Sequence, residues 1–192
     1  MQKTGLFFGS FNPIHIGHLI IANHLIEYSD LSEIWFVVSP HNPFKEKNTL
    51  LDDNQRLQMV RLVCEKYPKL KASNIEFSLP KPSYTIDTMT YLHEKYPTKI
   101  FALIMGEDNL HSLHKWKNHE KLVENYPIYV YPRIFEKSNE IKIGNAKIIK
   151  IDSPIIEISS TLVRKMIKEK KNFKPLLTKE VFDYIDGSNL YQ

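Results

Sequence analysis

The 192-residue sequence has almost no cysteine and no long apolar segment. Because Cys64 is the only cysteine, no disulfide can form within the chain, which is typical of a reducing compartment. No run approaches the roughly 18 consecutive apolar residues of a membrane-spanning helix. The short apolar run at residues 6–8 is interrupted at once by Gly9 and Asn12, unlike a signal peptide. We therefore expect a cytoplasmic protein that does not bind a membrane.

The charge of the chain does not indicate a nucleic-acid-binding protein either. The net charge is +4, and no basic stripe interleaved with aromatic residues indicates DNA or RNA binding. This mild positive excess suits a small anionic ligand. The length and the apolar fraction of 42% predict one globular domain over residues 1–192, with a C-terminal helical part at about 159–192. The sequence leaves the oligomeric state open, and a homo-oligomer is compatible with it.

Apolar runs alternate with helical patterns along the chain. The predicted strands are residues 4–8, 33–38, 70–77, 100–105, 128–131 and 147–151. The predicted helices are residues 17–28, 53–64, 83–96, 120–125, 159–170 and 178–185. Several strands are apolar on both faces, which is typical of parallel strands covered by helices on each side. The pattern predicts a doubly wound, mainly parallel α/β sheet with ligands at the carboxyl ends of its strands.

The loop after the first strand, residues 9–18, carries the sequence GSFNPIHIGH. It matches neither the dinucleotide-binding G-x-G-x-x-G motif nor the P-loop, so both of those readings lose their main support. Gly9 lets the backbone approach a ligand, and the helix that opens at Gly17 has free N–H groups that attract anions. His15 and His18 straddle this helix start, and imidazole N–H groups donate to phosphate oxygens. Paired histidines framed by two glycines favour a phosphate site over two packing histidines.

A second candidate phosphate site lies at residues 158–164, with the sequence ISSTLVR. Hydroxyl groups at a helix start usually cap its unpaired N–H groups, and for this motif alone a plain cap is the favoured interpretation. The same geometry can hold a polyphosphate, with Arg164 one turn later as a bidentate clamp. Two such motifs about 140 residues apart favour a shared phosphate site more strongly than either alone.

The two motifs together resemble those of the H-x-G-H nucleotidyltransferases, which include nicotinate-nucleotide and pantetheine-phosphate adenylyltransferases. The resemblance implies a Rossmann-like nucleotidyltransferase fold in which His15 and His18 contact the ATP phosphates and stabilise the transition state. It also implies that Ser159, Ser160, Thr161 and Arg164 bind the β- and γ-phosphates. The full set of implied ATP-binding residues is Gly9, Ser10, Phe11, His15, Gly17, His18, Arg133, Ser159, Ser160, Thr161 and Arg164.

Three further segments resemble the nicotinate-nucleotide adenylyltransferases in particular. Residues 40–45 are similar to their P-x-x-P-P-H-K loop, with Lys45 matching and Phe44 replacing the usual histidine. Residues 83–88, SYTIDT, are similar to a segment that binds the acid of the pyridine ring. Residues 106–116 are similar to a G-x-D…W stretch that contacts ribose and stacks on the ring. The implied mononucleotide-binding residues are Asn12, Lys45, Tyr84, Thr85, Asp108 and Trp116.

The resemblance implies that nicotinate mononucleotide and ATP are joined to give deamido-NAD and pyrophosphate, with Mg²⁺ accompanying ATP. The attacking phosphate monoester has a second pKa of about 6, so the reaction needs no general base. The absence of a Ser-His-Asp or paired-carboxylate motif is therefore expected. His111, His114 and His119 lack the cysteine or carboxylate partners of a zinc site, so we predict no protein metal site.

Other assignments stay open at this point. Nicotinamide mononucleotide or phosphopantetheine are alternative acceptors within the family, although the Ser83 segment and Trp116 argue against phosphopantetheine. A non-catalytic nucleotide sensor on the same fold is the alternative from another class. Such a sensor would be expected to have lost one of four residues, and all of them are present: His15, His18, Ser160 and Arg164.

Overall fold

A computed structural model describes residues 2–40, 50–134 and 147–192. Its centre is a six-stranded sheet in the order β3-β2-β1-β4-β5-β6, and all five strand pairs are parallel. The strands are β1 (Lys3–Gly9), β2 (Glu33–Val38), β3 (Leu70–Ser73), β4 (Ile100–Gly106), β5 (Ile128–Tyr131) and β6 (Ile148–Lys150). The predicted doubly wound parallel sheet is confirmed.

Helices connect the strands and cover both faces of the sheet. They are α1 (Ile16–Tyr28), α2 (Asp53–Cys64), α3 (Thr85–Lys95), α4 (Glu107–Ser112), α5 (His119–Asn125), α6 (Ser160–Lys168) and α7 (Lys179–Gly187). Short 3₁₀ turns lie at Ile75–Ser78, Leu113–Lys115 and Lys174–Leu176. In the described ranges, no helix is long and apolar enough to cross a membrane.

One predicted strand is too long. The strand expected over residues 70–77 ends at Ser73, and a 3₁₀ turn follows at Ile75–Ser78. The Ser73 hydroxyl accepts a hydrogen bond from the Ile75 N–H at 3.4 Å, so this N–H bonds locally and not in the sheet. The segment that leads to Trp116 consists of α4 followed by a 3₁₀ turn.

The strand order places the functional edge of the sheet. From β1 the chain steps through β2 to β3 on one side, and it then returns to pair β4 with the other side of β1. In such sheets ligands bind outside the carboxyl ends of the strands where the order reverses. That point lies between the ends of β1 and β4, at Gly9 and Gly106.

Two apolar clusters flank the sheet. Phe7 of β1 packs in the cluster formed with α1, α2, α6 and α7, whereas its neighbour Leu6 packs in the cluster formed with α3, α4 and α5. Consecutive strand side chains point to opposite faces, which explains this division. Val163 and Val181 of the C-terminal helices are fully buried in the first cluster, so α6 and α7 pack on the same core as α1 and α2.

The opposite, amino edge of the sheet is held by one buried acid. Glu33 is 3% exposed, and its Oε1 accepts from Thr4 Oγ1 at 2.9 Å and from Lys99 Nζ at 2.7 Å. Lys71 Nζ lies 2.7 Å from its other oxygen. Burial pushes the Glu33 pKa upward, but Lys71, Lys99 and Thr4 outweigh it and lower the pKa to about 2. One carboxylate thus ties the starts of four strands together.

We predict that this carboxylate makes the fold acid-sensitive. The folded-state pKa of Glu33 lies below the ordinary value of 4.5, so Glu33 stabilises the folded protein fully above pH 4.5. This stabilisation is lost as the pH falls towards 2. The effect on the free energy of unfolding is at most about 3 kcal/mol. Denaturant unfolding between pH 2 and 7 should show an acid decline that Glu33→Gln flattens. Glu27→Gln, at an exposed pair with Lys69, is the control, and an equal effect there would contradict the assignment.

Candidate active site

The start of α1 carries both motif histidines. His15 is the N-cap residue in extended conformation, and the His18 Nδ1 accepts a hydrogen bond from the His15 N–H at 3.2 Å. The two imidazole centroids lie 3.8 Å apart, and the Phe11 ring packs edge-on against His18 at 5.1 Å. The two imidazoles therefore lie side by side at the positive end of the helix, next to the end of β1.

His15 sits in a buried, electropositive position. It is 4% exposed, and burial, followed by the nearby Arg133 charge, lowers its pKa to about 3. It is consequently neutral at pH 7. Within the described residues, His15 Nδ1 and Arg133 Nε are both buried without a hydrogen-bond partner. Buried polar atoms of this kind are usually bonded, so this pair fits an acceptor-rich ligand such as phosphate.

The glycine between the two histidines is required by packing. A Cβ added at Gly17 would lie 2.9 Å from Ile156 Cγ2 and 3.0 Å from His15 Nδ1. Ile156 belongs to the segment that leads into α6. Any larger residue would therefore push His15 and this segment apart.

The second motif docks directly onto the loop that follows β1. Ser160 Oγ donates a hydrogen bond to the Pro13 carbonyl at 2.8 Å, and Arg164 Nη1 donates to the Asn12 carbonyl at 2.7 Å. These bonds join residues about 150 positions apart in the chain. This geometry agrees with the expectation that the two motifs lie close enough to share one phosphate site.

The start of α6 keeps donors of its own. Ser159 is the N-cap residue, and its hydroxyl accepts from the Leu162 N–H at 3.1 Å. Arg164 Nη2 lies 3.3 Å from Thr161 Oγ1, so the guanidinium is held between the loop and its own helix. The first N–H groups of a helix have no acceptor inside it, so α6 presents backbone donors beside Arg164.

Arg133 and Asp108 meet at the end of β4. Arg133 Nη1 donates to the Ile156 carbonyl at 3.2 Å, and its guanidinium lies 5.5 Å from the Tyr131 ring centroid. Asp108 and Arg133 both pack against Gly106. A Cβ at Gly106 would collide with the Asp108 carboxylate and crowd the Arg133 side chain. An exposed acid and a cation thus flank the carboxyl end of β4, and the cation is close enough to act on His15.

The predicted pyridine-binding residues lie on the other face, at the start of α3. Tyr84 is the N-cap residue and Thr85 the first helical residue, and no side-chain hydrogen bond from Tyr84 caps the helix within the described chain. Lys117 Nζ lies 2.8 Å from Asp87 Oδ2 and 4.6 Å from the Tyr84 ring centroid. This brings the Trp116 segment to the start of α3, where Trp116 is half-buried against the second cluster. Lys45 lies outside the described residues.

Arg56 is a functional-edge residue that the sequence did not reveal. Its side chain is fully buried; Nη1 donates to the carbonyls of Ser10 at 2.5 Å and Ser39 at 2.9 Å. Nε donates to the Leu51 carbonyl at 3.0 Å, and Asp53 completes the set as an ion pair at 2.5 Å. The helical pattern of α2 gave no signal, because an arginine beside apolar positions ordinarily faces solvent.

A groove of about 730 Å³ lies elsewhere, between the end of α1 and strands β5 and β6. His24, Tyr28, Tyr129 and Lys150 are among its lining residues, and none of the predicted phosphate-binding residues is. The buried donors described above lie instead at the carboxyl ends of the strands, where parallel sheets bind ligands.

Known proteins of the same type share both sequence and fold with this chain. The family model described as "Cytidylyltransferase-like" matches residues 6–166. A Christiangramia forsetii protein named "Probable nicotinate-nucleotide adenylyltransferase" is 61% identical, covering 100% of this chain and 99% of its own. A Flavobacterium johnsoniae protein of the same name is 59% identical, with 100% of both chains covered.

A solved structure agrees in fold. The nicotinic acid mononucleotide adenylyltransferase of Plasmodium falciparum, complexed with NaAD, superposes with a TM-score of 0.83 at 23% identity. The superposition covers 100% of this chain and 98% of that one. With the motifs, the parallel sheet and relatives at 61% identity, the chain belongs to the cytidylyltransferase-like family and, within it, to the nicotinate-nucleotide adenylyltransferases.

Proposed function

We propose that this enzyme joins nicotinate mononucleotide to the adenylyl group of ATP at the carboxyl ends of β1 and β4, with the residues assigned below. The products are deamido-NAD and pyrophosphate, a step of NAD biosynthesis. The observation that carries the proposal is the docking of Ser160 and Arg164 onto the loop that leads to His15 and His18. Two helix starts and two imidazoles then converge on one triphosphate.

The reaction requires mainly that the protein position the two substrates and supply positive charge. The mononucleotide phosphate is already ionised at pH 7 and attacks the α-phosphorus of ATP, while the bond to pyrophosphate breaks. The barrier comes from bringing two anions together and from charge that builds on the departing pyrophosphate. Preorganised donors lower such a barrier because they need no rearrangement during the reaction.

The structure supports a division of labour among these donors. His15, neutral at pH 7, would donate one N–H without exchanging a proton, and His18 would act beside it on the α-phosphate. Ser160 already donates its hydroxyl proton to Pro13, so α6 would bind the β- and γ-phosphates through backbone N–H groups and Arg164. Ser10, Phe11 and Gly9 would line the same phosphate path.

A divalent cation would be carried mainly by the substrate. Members of the family use a divalent metal with ATP, and we propose Mg²⁺ as that metal. Across residues 2–40, 50–134 and 147–192, no three His, Cys, Asp or Glu side chains group as metal ligands. Mg²⁺ commonly binds through substrate phosphates and water with few protein ligands, and Asp108 would orient one such water. Bound there, the cation would neutralise charge on the leaving pyrophosphate.

The start of α3 is suited to the pyridine acid. The N–H groups of Thr85 and Ile86, the first two residues of this helix, have no acceptor inside it, and the helix dipole favours a carboxylate there. Trp116 would stack on the ring, and Asn12 and Asp108 would contact the ribose and phosphate side. Lys45 stays a predicted phosphate ligand. The packing of α6 and α7 on the common core supports a single domain over residues 1–192.

His18→Ala is expected to lower kcat by roughly 10²-fold or more, the loss typical of one transition-state donor. A pyrophosphate-release assay with saturating ATP and nicotinate mononucleotide measures it. His24→Ala, on the same helix but lining the remote groove, is the matched control and should keep the wild-type rate. An unchanged rate in His18→Ala would remove this residue from the mechanism.

The uncapped start of α3 should discriminate between the acid and the amide of the pyridine ring. We expect kcat/KM for nicotinate mononucleotide to exceed that for nicotinamide mononucleotide by at least about tenfold, or about 1.4 kcal/mol. The same pyrophosphate assay, run with both acceptors and with phosphopantetheine, measures the preference. Equal kcat/KM for acid and amide would refute the assigned specificity, and nucleotide binding without any pyrophosphate release would favour a sensor.

A further inference from the structure

The C-terminal end of the chain returns to the loop that follows β1. The Tyr191 hydroxyl donates a hydrogen bond to Asn12 Oδ1 at 2.9 Å, between residues 179 positions apart. The preceding Leu190 is 8% exposed and packs in the cluster that also holds α6 and α7. The hydroxyl bond and the buried neighbour Leu190 together hold Tyr191 in place.

Two donors among the described residues contact the side-chain oxygen of Asn12. Its Oδ1 also accepts from the Leu51 backbone N–H at 3.3 Å. Because a backbone N–H can only donate, the atom that faces Leu51 and Tyr191 must be the amide oxygen. Fixing the oxygen fixes where the amide nitrogen can donate. Asn12 is 2% exposed, so water has little access to replace a lost bond.

The surroundings keep the Tyr191 hydroxyl protonated. Burial raises the Tyr191 pKa, and the positive charges of Arg164 and Arg56 only partly oppose this. The same two arginines donate to the carbonyls of Asn12 and Ser10. Tyr191 thus adds the side-chain contact to a loop whose backbone is held by the two arginines.

We propose that Tyr191 is a positioning residue that sets the orientation of the Asn12 amide for binding the mononucleotide. This inference rests on the proposed function, in which Asn12 contacts that substrate. The backbone of the loop keeps its bonds from Arg164 and Ser160 when the Tyr191 hydroxyl is removed. The contribution of Tyr191 therefore concerns the mononucleotide and not ATP.

Tyr191→Phe, which removes one oxygen atom, tests this in the full-length enzyme. The KM for nicotinate mononucleotide should rise roughly three- to tenfold, the size expected for loss of one neutral hydrogen bond. The kcat and the KM for ATP should stay within about twofold, since the backbone bonds to the phosphate loop persist. Tyr184→Phe is the matched control: Tyr184 lies in the same C-terminal segment and packs on the first cluster. It should leave all three parameters at wild-type values.

A double-mutant cycle with Asn12→Ala separates positioning from stability. If Tyr191 acts through Asn12, Tyr191→Phe should add no further rise in mononucleotide KM in the Asn12→Ala background. An unchanged mononucleotide KM in Tyr191→Phe would overturn the inference. So would an equal rise in both KM values accompanied by a lower Tm, because that is a general loss of structure. Wild-type enzyme that releases no pyrophosphate with nicotinate mononucleotide would instead contradict the proposed function.

Discussion

The functional edge, at the carboxyl ends of β1 and β4, depends on two hydrogen bonds between α6 and the backbone of the loop after β1. Ser160 and Arg164 donate to consecutive carbonyls, those of Pro13 and Asn12. Backbone carbonyls are acceptors whatever side chain their residue carries, so this docking is set by the hydroxyl and the guanidinium of α6. It brings two helix starts that are remote in the sequence next to each other, as the proposed phosphate site requires.

Positive potential at this edge comes from many weak sources. Helix starts, Arg164 and Arg133 contribute, whereas His15 stays neutral because burial and the Arg133 charge lower its pKa. A site of this kind can hold a polyanion and stabilise charge without proton exchange. This matches a reaction whose nucleophile arrives already ionised. Arg56 stabilises the same edge, because it donates hydrogen bonds to the carbonyls of Ser10 after β1 and Ser39 after β2.

Local patterns allowed much of this to be predicted. The strand Glu33–Val38 was bounded correctly because residues 34–38 are all apolar, as in a strand buried on both faces, and Pro40 follows two residues later. The two candidate phosphate motifs could be recognised because glycine, histidine and hydroxyl residues at helix starts have a physical meaning, and their phosphate-binding roles stay predictions. Arg56 and Tyr191 were missed because the contacts that bring them to this edge are remote in the sequence. Arg56 reaches Ser39 and Ser10 across 17 and 46 residues, and Tyr191 reaches Asn12 across 179. The strand over residues 70–77 was overextended because the Ser73 hydroxyl competes for a backbone N–H.

Hydrogen–deuterium exchange with and without ATP, in the absence of the mononucleotide, tests most directly whether both helix starts bind one triphosphate. We predict slower exchange on ATP binding in peptides that cover residues 15–20 and 159–164 together, with no change in the second half of α7. Protection at only one of the two helix starts, or at neither, would contradict the shared phosphate site.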